Sequence, residues 1–242
     1  LDVFGVSYER ATKQELTEMT DSSLDPVSRI RRKLTGRKTK AYREKDINFD
    51  PQVMERDPAL LEGCFQSEKY FQDCREQVRE AYRFRGIESG AYPLPEAYRR
   101  LEKEIADCPS VSVHIRRGDY LEESHGGIYT GICTEQYYQE AFARMEKEVP
   151  GAKFFLFSND PDWTREHFKG ENRILVEGST EDTGYLDLYL MSKCKHNIIA
   201  NSSFSWWGAW LNDNPEKKVT APARWLNGRE CRDIYTERMI RI

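Results

Sequence analysis

The 242-residue sequence has no apolar run near the ~20 residues that a helix needs to cross a bilayer, and no signal-peptide pattern opens it. It lacks an excess of positive charge: 37 Lys and Arg stand against 41 Asp and Glu, a net charge of −4. No global field therefore draws it to nucleic acid or to an anionic membrane. Paired cysteines are missing too. The six cysteines (64, 74, 108, 133, 194 and 231) stand singly, with no CxxC and no metal-ligand spacing. They read as separate reduced thiols, which favours a reducing compartment. Finally there is no initiating Met: Leu1 opens the chain already mid-pattern, and a preceding segment is expected.

What is present divides at about residue 108. Residues 1–21 are polar, with Leu1, Val3, Phe4 and Val6 as apolar anchors in a strand or a loop. Ser22 to Leu34 reads as a helix, with Ser22 or Ser23 as cap, Pro26 in the first turn and Gly36 past the end. Arg29, Arg31, Arg32, Lys33, Arg37, Lys38 and Lys40 form a basic run without aromatic interleaving. Such a run is ordinarily a solvated face, the alternative being a contact for phosphate or an acidic acceptor. A strand is expected over Lys40–Phe49, a turn at Asp50-Pro51 and a helix over Gln66–Phe84. A further helix runs from Pro95 to Asp107, with Tyr98, Leu101 and Ile105 inward. None of these segments carries chemistry.

From residue 110 the texture changes to regular alternation. Val111, Val113 and Ile115 fall on one face of a strand over 111–116, and Lys153–Ser158 is a continuous apolar run suited to a strand buried on both faces. Strands over 173–176, 196–200 and 217–220 alternate with helices from Thr134, around Trp163–Phe168, over Asp182–Cys194 and through Trp206–Leu211. A βαβα order of this kind predicts a doubly wound parallel sheet over 110–221, whose ligand site lies outside the carboxyl ends of its strands.

Three strand ends could meet there. The first is His114-Ile-Arg-Arg-Gly-Asp119, where Arg116 and Arg117 suit a phosphate or carboxylate, or a salt bridge to Asp119. The second is Ser158-Asn-Asp160, in which Asp160 either caps the next helix or accepts paired N–H bonds from a purine edge or from ribose. In the third, Ser202, Ser203 and Ser205 open a helix that follows a strand, an arrangement that favours an anion. Trp206, Trp207 and Trp210 at helical spacing read as burial rather than ligand stacking. The ligand suggested is a nucleotide with phosphates.

HIRRGDY at 114–120, FFLFSNDPDW at 154–163 and HNIIANSSFSWWGAWLN at 196–212, together with LEGCFQSEKYF at 61–71 and DLYLMSKC at 187–194, resemble glycosyltransferase family 11, the α-1,2-fucosyltransferases. The resemblance implies an α/β, GT-B architecture of two Rossmann-like domains with parallel sheets. Residues 1–108 would form an incomplete N-terminal, acceptor-side domain, since the family's opening strand and Gly-rich turn have no counterpart here. Residues 109–242 would form the donor domain. It implies GDP-β-L-fucose as donor, inversion at the anomeric carbon, and a terminal galactoside fucosylated on its 2-hydroxyl. Arg116 would hold the diphosphate, His114 and Asp160 would lie near the guanosine, and Ser202, Ser203 and Phe204 would cradle phosphate and base.

For such a transfer the charge growing on the leaving diphosphate needs preorganised donors, here Arg116 with Arg117 and the Ser202–Ser205 helix mouth. Asp119, Glu122 and Glu123 are the candidates for the base, Asp119 alternatively orienting the arginines. Asp160-Pro-Asp162 has the DxD form of metal-dependent transferases, but two arginines and a helix end already serve the same charge, so no metal or other cofactor is expected. Arg117-Gly-Asp119 also spells an adhesion tripeptide. A noncatalytic GDP-sugar or glycan-binding module, or another fucosyl linkage, are the remaining alternatives. The expected partners are GDP-fucose and a galactose-terminated acceptor, with no nucleic acid and no membrane insertion. The expected location is the bacterial cytoplasm, at most peripheral to the inner membrane, or the Golgi lumen were a eukaryotic anchor to precede Leu1. Asn201-Ser-Ser is formally a glycosylation sequon and is expected to go unused.

Overall fold

The computed structural model describes residues 2–56, 59–121 and 127–242, with the backbone alone for Asp119 and Leu121. The chain forms two compact units. One holds residues 7–75 and 232–234, the other residues 2–6, 76–231 and 235–242.

The smaller unit contains α1 (Lys13–Thr20), α2 (Pro26–Thr35) and a parallel pair of short strands, β1 (Ala41–Arg43) and β2 (Leu60–Glu62). Helix α1 is not among the sequence expectations, although its signal is local. Thr12 Oγ1 accepts the Glu15 N–H at 3.2 Å while the Glu15 carboxylate accepts the Thr12 N–H at 2.7 Å, a reciprocal capping box. Asp25, not Ser22 or Ser23, caps α2, with Pro26 at its first position and Gly36 at φ +76° past its end. The helix expected over Gln66–Phe84 is instead two 3-10 turns, Glu68–Tyr70 and Gln72–Cys74, followed by α3 (Arg75–Ala81). Ser67 explains the break: its hydroxyl is turned to the Asp233 carbonyl (2.6 Å) and caps the first turn at Lys69.

In the larger unit α3 from its second residue, α4 (Arg85–Glu88) and α5 (Glu96–Asp107) precede an alternating series. It runs β3 (Ser110–Ile115), α6 (Glu135–Glu148), β4 (Lys153–Ser158), α7 (Pro161–His167), β5 (Arg173–Val176), α8 (Tyr185–Lys193), β6 (His196–Ile198), α9 (Ser203–Leu211), β7 (Val219–Ala221) and β8 (Met239–Arg241). The six strands form one parallel sheet in the order β5-β4-β3-β6-β7-β8. The fold is thus α/β with parallel sheets. Strand β8 was not anticipated, since no helix separates it from β7 and it falls outside the βα alternation.

Both faces of the sheet are covered. Val111, Val113 and Ile115 pack with Tyr138, Ala141, Phe142 and Met145 of α6 in one apolar cluster. On the opposite face Ser112 and His114 are buried with α8 and α9, and a polar chain joins neighbouring strands. Asn212 Nδ2 donates to Asn197 Oδ1 (2.8 Å), and Asn197 Nδ2 donates to Ser112 Oγ (2.7 Å) and to the Met191 carbonyl (3.1 Å). A Cβ on Gly208 would lie 2.9 Å from that of Met191, so this glycine permits the close approach of α9 to α8.

Residues 76–107 go with the sheet, although the sequence suggests a boundary at 108. The buried Tyr98 hydroxyl of α5 donates to Asp187 Oδ1 on α8 (2.8 Å), and Ser179 Oγ donates to Asp187 Oδ2 (2.6 Å). Burial raises the Asp187 pKa against the lowering effect of these two bonds. Asp187→Ala strands the Tyr98 hydroxyl in the core and should cost about 1–3 kcal/mol by urea denaturation, whereas Asp187→Asn, which keeps an acceptor, should lose less.

Candidate active site at the carboxyl edge of the sheet

The chain runs outward from β3 in both directions, to β4 and β5 on one side and to β6, β7 and β8 on the other. The β3/β6 boundary is therefore a topological switch point, where the loops leaving two neighbouring strands diverge and open a crevice. The three strand ends singled out in the sequence are brought together around it.

Gly118 turns the chain after β3 at φ +48°. A side chain there would meet Asn159 Nδ2 at 2.7 Å, and Asn159 Oδ1 accepts the Arg117 N–H at 2.8 Å, tying the β3 loop to the β4 loop. On the other side Tyr120 donates its hydroxyl to the Asn201 carbonyl at 3.1 Å, tying the β3 loop to the β6–α9 loop. Asn201 is itself held: its Oδ1 accepts from the Cys133 thiol (3.3 Å) and its Nδ2 donates to the Trp225 carbonyl (3.1 Å). Burial pushes the Cys133 pKa up to about 12, so the sulfur remains a donor. Being 2% exposed and fully engaged, Asn201 offers its amide to no glycan in the folded protein.

The two arginines have different surroundings. Arg116 sets its guanidinium 5.4 Å from the Tyr120 ring, beside the loop that Tyr120 joins to Asn201. Arg117 lies 3.7 Å over the Trp163 ring and pairs through Nε with Asp160 Oδ2 at 3.2 Å. Asp160 is thus a partner of Arg117. Asp160 also caps α7, Oδ1 accepting the Trp163 N–H at 3.2 Å, while Ser158 Oγ accepts the Asp160 N–H at 3.0 Å. Asp162 is paired with Arg165 at 2.6 Å. Both carboxylates of the DxD sequence therefore face local cations, and among the described residues no three His, Cys, Asp or Glu side chains cluster as a metal site made of protein ligands alone. The arginine of the adhesion tripeptide is committed to Asp160 and Trp163.

His114 is 5% exposed and 5.4 Å, ring to ring, from Phe204 of α9. Burial, reinforced by the charge of Arg116, lowers its pKa to about 3, so the ring is neutral at physiological pH. Its Nδ1 is buried without a hydrogen-bond partner among the described residues. Ser202 takes the cap position of α9 but its side chain makes no capping bond, and Ser203 is exposed. Ser205 differs, because its buried hydroxyl turns back to the Ala200 (3.5 Å) and Ser202 (3.3 Å) carbonyls. Trp206 and Trp210 are buried, and Trp207 stacks on Tyr82 at 4.9 Å, as burial rather than ligand stacking predicts. The Asp119 side chain, Glu122 and Glu123 lie outside the described residues. The braces Asn159, Tyr120, Asn201 and Cys133 were not anticipated, since their roles depend on partners distant in the chain.

A sequence profile of glycosyl transferase family 11 matches residues 38–236. The chain belongs to this family. Among family relatives, an α-1,2-colitosyltransferase of Escherichia coli is 35% identical over 187 residues, covering 74% of this chain and 61% of that protein. The O-antigen biosynthesis glycosyltransferase WbnK of Escherichia coli is 40% identical over 120 residues, 49% of this chain and 40% of that protein. A galactoside α-(1,2)-fucosyltransferase 1 of Mus musculus is 28% identical, covering 64% of this chain and 42% of its own. The chain thus spans 61% or less of the length of these relatives. Among solved structures, KpsC of Thermosulfurimonas dismutans, a β-Kdo 2,4 transferase, aligns with 55% of this chain and 46% of its own at TM-score 0.33 and 15% identity, too weak a likeness to bear on the fold.

Proposed function

We propose that this family 11 chain belongs to an inverting glycosyltransferase that moves L-fucose from GDP-β-L-fucose to the 2-hydroxyl of a terminal galactoside. The observation that supports the reading is the junction of the β3 and β6–α9 loops at the switch point, where Tyr120 donates to the Asn201 carbonyl and carries the Arg116 guanidinium over its ring. A diphosphate there would meet a guanidinium, the first-turn N–H groups of α9 and the hydroxyls of Ser202 and Ser203. Arg117, Ser158 and Asp160 would support the site from the β4 side. Asp160 retains acceptor capacity beyond its cap and its ion pair, because an ionised carboxylate has about four lone-pair sites. The neutral His114, under Phe204, would offer hydrogen bonding without charge near the base.

The chemistry is one displacement. The acceptor 2-oxygen forms a bond to the anomeric carbon as the bond to the β-phosphate oxygen breaks, and the hydroxyl proton passes to a carboxylate base. Asp119 is the base candidate, with Glu122 and Glu123 as alternatives. The electron pair of the broken bond leaves on GDP, where Arg116 and the α9 terminus stabilise it without a metal.

GDP titrated calorimetrically into the protein in EDTA should bind, and Arg116→Ala should weaken that binding at least tenfold. A requirement for Mg²⁺ or Mn²⁺ would overturn the metal-free site. One relative supports a second reading of the donor sugar, since the 35% identical protein is a colitosyltransferase. The ratio of kcat/KM for GDP-fucose over GDP-colitose decides the donor, and binding of GDP with no transfer to any galactoside would make the chain a binding module.

A further inference from the structure

Helix α2 is built inside out. Val27, Ile30 and Leu34, spaced to share one helical face, are 76%, 61% and 79% exposed, and Leu24 just before the helix is 85% exposed. The side turned to the protein is polar. Arg31 and Arg32 reach back to Asp21, itself only 8% exposed, which also accepts the Lys38 N–H at 2.7 Å, and Arg32 bonds the Ser23 carbonyl. A helix that only completed a globular unit would bury the aliphatic stripe and expose the arginines. Here ion pairing to a buried aspartate holds the stripe outward. Four contiguous large aliphatics left in water mark a contact surface.

Charge identifies the occupant. Residues 25–40 carry seven basic side chains and one acidic in a chain of net charge −4. Arg29, Lys33, Arg37, Lys38 and Lys40 are exposed, with Lys33 next to the aliphatic stripe. The contact surface is one convex helix, not a groove that a peptide could enter. Two copies meeting through it would bring their positive clusters face to face. An aliphatic stripe edged by Lys and Arg matches a bilayer surface, the side chains reaching the acyl boundary and the cations the headgroups.

We infer that α2 is a membrane-surface helix, which lays Leu24, Val27, Ile30 and Leu34 into a bilayer whose headgroups are anionic. The whole-chain charge of −4 conceals this local attraction, and no spanning helix is needed for it. The inference stands apart from the sugar-transfer reading. A glycan acceptor carried on a lipid would be brought to the same surface.

The test is co-sedimentation of the 242-residue protein with vesicles of phosphatidylglycerol and phosphatidylcholine, against phosphatidylcholine alone. Binding should favour the anionic vesicles by about tenfold or more and fall steeply with salt. Ile30→Asp with Leu34→Asp should abolish it, and Lys33→Glu with Arg37→Glu should weaken it about tenfold or more. All four side chains are exposed, so the thermal transition should not move. The inference is overturned by equal binding to both vesicle types, by no binding to either, or by wild-type binding of the double aspartate variant. A dimer that Ile30→Asp with Leu34→Asp dissociates, with no vesicle binding, would assign the stripe to a second copy instead.

Discussion

Arg116→Lys should lower the rate of the proposed sugar transfer by about 10²–10³, the usual cost of losing one donor aimed at developing charge, and leave the thermal transition in place. The stability half of this expectation follows from location. Arg116 leaves the end of β3, beyond the buried strand, and sets its guanidinium against Tyr120 rather than in the apolar cluster. The activity half follows from shape. A guanidinium can lie on the tyrosine face and present two parallel N–H groups to a phosphate, whereas an ammonium is a compact point charge that does neither as well. Arg117→Lys is the control. It would loosen the pairing to Asp160 and the contact with Trp163, so its effect should be smaller on turnover and visible in stability. Steady-state kinetics with GDP-fucose, GDP titration and thermal melts of both variants separate the roles. Near-wild-type turnover in Arg116→Lys, with Arg117→Lys inactive, would exchange the two assignments.

The sheet was legible because its strands β3 and β4 are long and apolar in pattern and β5 to β7 follow them in βα alternation. Val111 to Ile115 alternates, and Phe154 to Phe157 is unbroken, as a strand buried on both faces requires. The converging strand ends follow from parallel topology, so the edge that holds the candidate site was readable before any side chain was placed. What the sequence withheld was who pairs with whom. Arg117 pairs with Asp160, 43 residues on in the chain. Ser205 looked like part of an anion site and is spent on carbonyls of its own turn. In the smaller unit the aromatic groups Phe49, Phe65 and Tyr70 and the hydroxyl of Ser67 set the backbone, and their contacts with each other and with residues 232–234 override the helical period of 66–84.

His114 should make the protein measurably acid-labile well above the carboxylate range. Its imidazole moves from about 6.5 when unfolded to about 3 when folded, so between these values the unfolded chain binds a proton that the folded one excludes. Stability then falls as pH drops through that window, by roughly 1.4 kcal/mol per pH unit for a single group. His196, lowered by burial and by Lys218 and Lys195, acts in the same sense. The carboxylates held below their ordinary values by hydrogen bonds, such as Asp50 and Asp233, also lose stability on acidification, but only near and below their unfolded values of about 4. From pH 6.5 to 5 the histidines therefore act before these lowered carboxylates, opposed only where Asp187, raised by burial, begins to take up its proton. Urea denaturation of wild type and His114→Gln at pH 7, 6 and 5 should give a steeper fall for wild type, and that slope is independent of whatever His114→Gln costs in packing. Parallel slopes would mean that the ring titrates in water. With the steeper slope, the imidazole is a neutral hydrogen-bonding group beside Phe204 at neutral pH, and the positive charge that the proposed diphosphate site requires would fall to Arg116.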